Sequence, residues 1–547
     1  MPHISAQNPI AYFCAEYGLK ASLPFYAGGL GVLAGDTLKA AADLQLPMVA
    51  VGLLYRGDRA VQKIDANGLQ IEQDLPFDPL SEGMEHVYLD DQPLFIKVHL
   101  AEVDIWCRVW KETISDTVTL YLLDTDTDQN QLTERSITHP LYSGTAETSL
   151  KQQLILGIGG VKLLHFLGIH PAIIHLNEGR PAFLHWQLIR WCMAQHGCSY
   201  QQATQLAKAR TVYTNHTLVA AGNHGISLAL LSRYAKHYAQ EIGVSLEQLL
   251  EFGLIDQESP QFLMTRFALN TARKASGVSQ LHTQLAQQRW PAYNWVNVTN
   301  GVHLPTWQDS AVKNCDLADN KLWQVHQQNK QDLVKFVKQR TGYSYNPEHL
   351  VITWARRLAG YKRLGALFAD VARLRAILHH EHRPVQLLVA GKAHVLDKQG
   401  KIKLQQIIKY MAKELAGQAL FVPNYDLEVA KFLVKGSDLW INIPEQGKEA
   451  CGTSGMKAIS NGVLQCTVAD GWAHEVDWQD KGWVLDSNNV SNHLYETLEQ
   501  QIVPMFYERD QQNIPQQWLA RMKASVSLAG QFSARRMVQQ YQERLYS

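Results

Sequence analysis

Short runs of apolar and β-branched residues alternate along this chain with longer stretches in which apolar side chains recur at every third and fourth position. The first kind comprises LPMVAVGLLYR (46–56), AIIHLNE (172–178), RTVYTNHT (210–217), VITWA (351–355), VQLLVAG (385–391), LFVPN (420–424), SDLWINIP (437–444) and VLQCTVAD (463–470). These read as strands. DTLKAAADLQL, GVKLLHFLG, IKLQQIIKYMAKEL and HLYETLEQQI carry helical spacing. Alternating β and α elements predict parallel sheets covered by helices on both faces. The alternation weakens between about 225 and 350 and resumes at VITWA, so the chain is expected to divide into halves 1–302 and 303–547. The expected fold class is α/β, with two doubly wound Rossmann-like domains facing a cleft into which the carboxyl ends of the strands point.

The 547 residues suffice for two or more domains of roughly 100 to 200 residues each. Lys plus Arg and Asp plus Glu both total 51, and the hydrophobic fraction is 46%. Those values exclude a disordered, collagenous or coiled-coil chain and give no broad basic surface for nucleic acid. They leave room for a local cationic pocket. The cysteines, Cys14, Cys107, Cys192, Cys198, Cys315, Cys451 and Cys466, are scattered with no C-x-x-C pair, and read as reduced thiols of a cytoplasmic protein. The start, MPHISAQNPIAYFCAEYG, lacks a basic stretch followed by an apolar one, and no window reaches the roughly 18 to 20 apolar residues that span a bilayer. Neither secretion nor a membrane partner is expected.

Four segments bear on chemistry. FYAGGLGVLAGDTLKAA (25–41) places Gly29, Gly31 and Ala34 at the G-x-G-x-x-[GA] spacing of dinucleotide loops, but a strand should precede that motif and SLPF does instead. The segment fits either a tight turn or a glycine loop whose bare amides, leading into a helix, approach an anion or a sugar hydroxyl. LGIGGVKLL has Lys162 where a third glycine belongs, which points to close helix packing. In DTDTDQNQLTER, Asp124, Asp126 and Asp128 imitate an EF-hand start, yet Gln129 and Arg135 stand where Gly and Glu are required. No metal is expected there, and the segment reads as a solvated loop.

VITWARRLAGYKRLG sets Arg356, Arg357, Lys362 and Arg363 at the carboxyl end of a strand, the edge at which doubly wound sheets bind ligands. Planar guanidinium groups suit phosphate; a solvated helix start is the plainer alternative. Lys392, in LVAGKAHVL, follows the next strand at the equivalent end and favours a shared phosphate pocket. PEQGKEACGTSGMKAISNGVLQ (444–465) follows another strand and offers Gly452, Thr453, Ser454 and Gly455 at a helix start, with Lys457 on the first turn. Such a loop suits a phosphate, and the lysine suits either a point charge or a Schiff-base amine. A nucleotide-sugar diphosphate and a phosphorylated cofactor both remain open on these residues. His216 in YTNHT and Asn300 in VTNGVH follow other strand-like runs.

EACGTSGMKAISNG resembles the pyridoxal-phosphate lysine motif of the α-glucan phosphorylases, the family acting on glycogen, starch and maltodextrin. AEYGLKASLPFYAGGLGVLAGD, HLNEGRPAF, YTNHT, VTNGVH, RRLAGYKR, VAGKA and PNYDLEVA are similar to segments of that family in the same order, and the compact length resembles its short bacterial and archaeal type. The resemblance implies the glycosyltransferase-B fold and a hexosyl transfer: an α-1,4-glucan or maltodextrin end plus inorganic phosphate gives α-glucose 1-phosphate with retention. It implies that Lys457 holds pyridoxal 5′-phosphate, that Arg356 and Thr453 contact the cofactor phosphate, and that Tyr425 lies near it. Arg357 and Lys362 then hold the substrate phosphate, and Gly29 and Leu30 offer loop amides. Glu449, Cys451, Gly452, Asn300 and His216 bind the glucosyl unit, and the catalytic set is Lys457, Arg357, Lys362 and His216.

In that family the cofactor's 5′-phosphate is held to exchange a proton with the attacking phosphate, so two phosphates lie side by side. At about 4 Å and an effective dielectric near 20, each unit-charge repulsion costs about 4 kcal/mol. Clustered Arg and Lys must offset it.

Three positions depart from the family pattern. Arg180 in HLNEGRPAF stands where short phosphorylases usually carry His, LYSGTAET replaces the commoner Y-G-G-D run near residue 143, and Cys451 stands where many members have Ser. These bear on substrate choice more than on fold or cofactor. The competing readings are a nucleotide-sugar-dependent glycosyltransferase of the same fold, which has no need of Lys457, and a weakly active regulatory paralogue. A homo-oligomer is compatible with the sequence; glucan length and allosteric control are not legible in it.

Overall fold

The structure is a computed structural model that describes residues 3–57, 60–218, 225–255, 260–314 and 320–547, with Cys315 outside them. The chain forms two compact units, one of Met1–Arg59, Pro76–Thr299 and Met537–Ser547, the other of Ala60–Leu75 and Asn300–Arg536.

The first unit is built on strands β1 (Ile10–Cys14), β2 (Met48–Leu53), β3 (Phe95–Leu100), β4 (Val103–Ser115), β5 (Val118–Asp124), β6 (Ile173–Asn177), β7 (Thr211–Thr214), β8 (Lys274–Gly277) and β9 (Trp295–Asn297). Their order is β9-β8-β7-β6-β1-β2-β5-β4, with β3 also on β4. From β9 to β5 every pairing is parallel; β4 is antiparallel to β5 and to β3. β1 and β6 are buried at every position, as expected of parallel strands covered on both faces. The runs at 46–56, 172–178 and 210–217 are β2, β6 and β7. β1, the antiparallel edge and the short β8 and β9 add to what the apolar runs predict.

Helix α1 (Gly29–Asp43) turns Val32, Leu33, Leu38, Ala40 and Ala41 inward. A Cβ on its Gly35 would lie 2.3 Å from the Gly18 carbonyl oxygen, so only glycine lets this helix approach the loop after β1. The LGIGG run is helical and closely packed as anticipated: a Cβ on Gly160 would meet the Phe13 ring at 2.4 Å. DTDTDQ corrects its expectation. Asp124 is fully buried at the end of β5, accepts from Arg56 Nη2 at 2.6 Å and from Trp110 Nε1 at 3.0 Å, and Thr125 and Thr127 are buried beside it. Only part of the segment is solvated, because the first aspartate serves as the partner of a guanidinium.

The second unit holds β10 (Leu350–Ala355), β11 (Val385–Ala390), β12 (Ala419–Val422), β13 (Leu439–Asn442), β14 (Leu464–Val468) and β15 (Gly482–Leu485), all parallel in the order β12-β11-β10-β13-β14-β15. That is a Rossmann order, with its switch point between β10 and β13. Five of these strands are runs read from the sequence; β15 is additional. Helix α2 (Lys321–Thr341) packs Leu322, Trp323, Leu333, Val334 and Val337 inward. It also buries Lys330 and His326, which close on Asp438 at 2.6 and 2.8 Å. A hairpin of 60–64 and 70–74 belongs to this unit: Gln62 Nε2 donates to the Gly391 carbonyl at 2.8 Å, and Gln70 Nε2 to that of Ala393 at 3.0 Å. Among the described residues no helix is long and apolar enough to cross a membrane.

Candidate active site

In the second unit the candidate residues gather at the carboxyl ends of β10 and β13, on either side of the switch point. Arg356 leaves β10 and donates from Nη1 to the Asn442 side-chain oxygen at the end of β13. Its Nη2 donates to Glu449 Oε2 at 2.6 Å, and Lys362 Nζ lies 3.2 Å from the same oxygen. One carboxylate thus answers two cations. Burial opposes ionisation of Glu449, but Arg356 and Lys362 outweigh it and hold the carboxyl below its usual range. Burial, reinforced by Arg356 and Arg357 against the pull of Glu449, lowers Lys362 to about 7. Asp470 fixes the loop from behind by accepting from the Glu449 and Gly471 amides, both at 2.9 Å.

The four cations read from VITWARRLAGYKRLG separate in the structure. Arg356 and Lys362 are paired with Glu449. Arg363, at φ +52°, spends its guanidinium on the carbonyls of Ile443, Pro444 and Ser487 and is a structural pin. Arg357 is exposed, with the Tyr361 hydroxyl within its electrostatic reach. The stretch after it folds as 3-10 turns, Gly360–Lys362 and Leu364–Phe368, not as an α-helix start. Lys392 follows β11 as expected, and burial lowers its amine. The two strand ends touch through backbone: Leu358 N donates to Lys392 O at 3.0 Å.

The glycine loop at 452 runs directly into helix α3 (Ser454–Ile459), with Thr453 at its N-cap. Gly452 has φ +81°, a conformation other residues rarely adopt, and a Cβ there would sit 3.1 Å from Glu449 and 3.2 Å from Arg356 Nη2. Cys451 is buried, its thiol is raised by that burial, and it shares a hydrogen bond with the Asn300 backbone. Arg356, Lys362, Glu449, Cys451, Gly452 and Asn300 therefore form one neighbourhood. Tyr425 is within electrostatic reach of Arg356, and burial raises its hydroxyl.

Lys457 is buried on α3, with Nζ 3.8 Å from the centre of the Trp307 indole. Asn461 ties the two segments, donating from Nδ2 to both the Trp307 and Lys457 carbonyls at 2.9 Å. Trp307 was not singled out from the sequence; its place after VTNGVHLP is the only hint. Among the described residues Ser454 Oγ, one turn before Lys457, is buried without a hydrogen-bond partner. A buried amine against an aromatic face, beside an unused hydroxyl and a Thr-Ser-Gly helix start, fits pyridoxal phosphate in the chemistry of its donors.

In the first unit the candidate residues also follow strand ends. Gly29 and Leu30 open α1; a Cβ on Gly29 would meet nothing within 4 Å, so this turn faces open space. His216 follows β7. Its Nε2 hydrogen-bonds with Asn177 Oδ1 at 2.7 Å, and burial lowers its ring to about 3, so it is neutral near pH 7. Its amide donates to Glu178 Oε1 at 2.6 Å. Glu178, which no motif marked as chemistry, sits at φ +73° just past β6, and burial raises its carboxyl to about 7 against the hydrogen bonds from His216 and Gly179. Arg180 lies over the Tyr142 ring, 4.5 Å from its centre.

The sequence matches the family model described as Carbohydrate phosphorylase over residues 169–319 and 310–480. It is 34% identical to a maltodextrin phosphorylase of Thermococcus litoralis, an alignment covering 99% of this chain and 71% of that protein. A glycogen phosphorylase of Aquifex aeolicus is 32% identical over 99% of this chain and 86% of its own length. An uncharacterized protein of Methanocaldococcus jannaschii, 29% identical, is covered along its whole length by 98% of this chain. With that extent of agreement, and with parallel α/β sheets carrying the matched motifs at their strand ends, the chain belongs to the carbohydrate phosphorylase family.

Proposed function

We propose that the protein is an α-glucan phosphorylase that cleaves the end of a glycogen-like glucan or maltodextrin with inorganic phosphate and releases α-glucose 1-phosphate. One observation carries this reading: Arg356 and Lys362 converge on Glu449 immediately beside the glycine loop that leads to buried Lys457. Cations for phosphate, a carboxylate for sugar hydroxyls and an amine for a cofactor are the three requirements of the reaction, and they occur here within one unit.

Arg357, exposed and with no carboxylate partner among the described residues, is the cation that receives the substrate phosphate, and Lys362 supplies the second charge when protonated. Arg356 and Thr453 would contact the cofactor phosphate. Glu449, Asn300 and the backbone at Cys451 and Gly452 orient the glucosyl hydroxyls, and neutral His216 adds a hydrogen-bonding ring. The amides of Gly29 and Leu30, at the start of a long helix, have no intrahelical partners and are open to an anion. When bound, pyridoxal phosphate supplies a second phosphate group able to exchange a proton with the first. Lys457 holds it through the side-chain amine, with Trp307 limiting where that amine points.

The test is reduction of purified protein with borohydride followed by peptide mapping. A pyridoxyl group on Lys457 is expected; its absence after incubation with the cofactor favours a nucleotide-sugar transferase.

A further inference from the structure

The glycine loop of the first unit does not hold itself in place. Glu16, two residues past β1 and only 4% exposed, accepts from the Ala27 amide at 2.8 Å and the Gly28 amide at 3.3 Å through one oxygen, Oε2. Its other oxygen, Oε1, accepts from the Tyr142 hydroxyl. The Arg180 guanidinium covers the face of that same Tyr142 ring. Gly31 is the complement of this contact: a Cβ there would lie 2.8 Å from Glu16 Cβ and 3.0 Å from Glu16 Oε2. The carboxylate therefore takes the two amides before α1, Ala27 and Gly28, while those of Gly29 and Leu30, in the first turn of the helix, have no intrahelical acceptor.

We infer that Glu16 is a positioning residue that fixes the glycine loop, held in turn by Tyr142 beneath Arg180. A carboxylate suits the task because its two oxygens accept the two amides and the hydroxyl together while donating nothing, and hydrogen bonds to a charged acceptor are the stronger kind. Burial keeps water from replacing the donors. The arrangement also gives Arg180, the departure from the family's usual His, a role that does not require contact with the glucan: it presses Tyr142 onto Glu16 by stacking on its ring. The inference rests on the proposed function only in taking the Gly29 and Leu30 amides as ligands of the substrate phosphate.

The test uses the full chain with Tyr142→Phe, which removes the hydroxyl and keeps the ring, and Glu16→Gln, which keeps one acceptor oxygen. Hydrogen exchange of residues 25–31 is measured with steady-state kinetics. Both variants are expected to speed exchange in the loop and to raise the phosphate KM about tenfold, the scale of one charge-assisted hydrogen bond, with the glucan KM within about twofold. Loop exchange unchanged in both variants overturns the inference, as does a glucan KM that rises as much as the phosphate KM. A wild-type chain without phosphorolysis refutes the functional reading instead, and the exchange data then decide the loop assignment alone.

Discussion

Arg356 and Glu449 form a 2.6 Å ion pair whose side chains are only 3% and 7% exposed, and the pair closes the space between β10 and the loop before α3. A buried pair is costly to make but costlier to break, because the survivor keeps its charge without a partner. Glu449→Gln leaves Arg356 and Lys362 facing each other. Chemical denaturation is expected to show a loss of about 3–5 kcal/mol in unfolding free energy, the usual range for removing one member of a buried pair. A loss below about 1 kcal/mol means that water screens the site.

Lys362 titrates near 7 in the folded chain, far below its ordinary value. Between about 7 and 10.5 the unfolded chain binds the extra proton, so this group makes stability rise with pH across that window. Function runs the other way: the second charge offered to phosphate, that of Lys362, is lost as pH rises through 7. The phosphate KM is expected to climb above pH 7 and to climb less in Lys362→Arg, whose charge persists. The same substrate serves both enzymes, so its own titration cancels. Parallel KM profiles count against the role of Lys362.

Glu178 titrates near 7 for the opposite reason, as an acid raised by burial. The folded chain holds its proton between about 4.5 and 7 while the unfolded chain has released it, so this group makes stability fall as pH rises through that window. Glu178→Gln removes that contribution. Thermal unfolding of wild type and variant at several pH values reads this contribution as the difference between the two, because buried His216, lowered to about 3, makes stability rise with pH over part of the same window; a difference that does not change with pH counts against the assignment.

Gly391 joins β11 to Lys392, and a Cβ there would lie 2.2 Å from the Arg356 carbonyl oxygen. Gly391→Ala must push the two strand ends apart at the phosphate side. A stability loss of about 1–3 kcal/mol and a higher phosphate KM are expected, by the measure of other overpacked sites. An unperturbed KM separates the strand-end spacing from phosphate binding.

The fully buried strands were legible because parallel sheets leave continuous apolar runs, as in VQLLVAG and VITWA. The antiparallel edge was not: in β4, VDIWCRVWKETIS, buried and partly exposed positions interleave with charges and look like neither pattern. β8, with the sequence KASG, is a strand only because β7 and β9 pair with it. At the site, motifs exposed the cations and the lysine, but not what neutralises or shields them. Nothing local in AEYG links Glu16 to Tyr142, 126 residues away, and Trp307 meets Lys457 only through the fold. The positive φ of Glu178 likewise leaves no mark on composition.

The central claim is tested most directly by incubating the protein, supplied with pyridoxal phosphate, with maltodextrins of several lengths and inorganic phosphate, and measuring glucose 1-phosphate. The wild type is expected to release it without any nucleotide sugar, and Lys457→Ala to release none. No product at any chain length, or equal turnover by Lys457→Ala, contradicts the account.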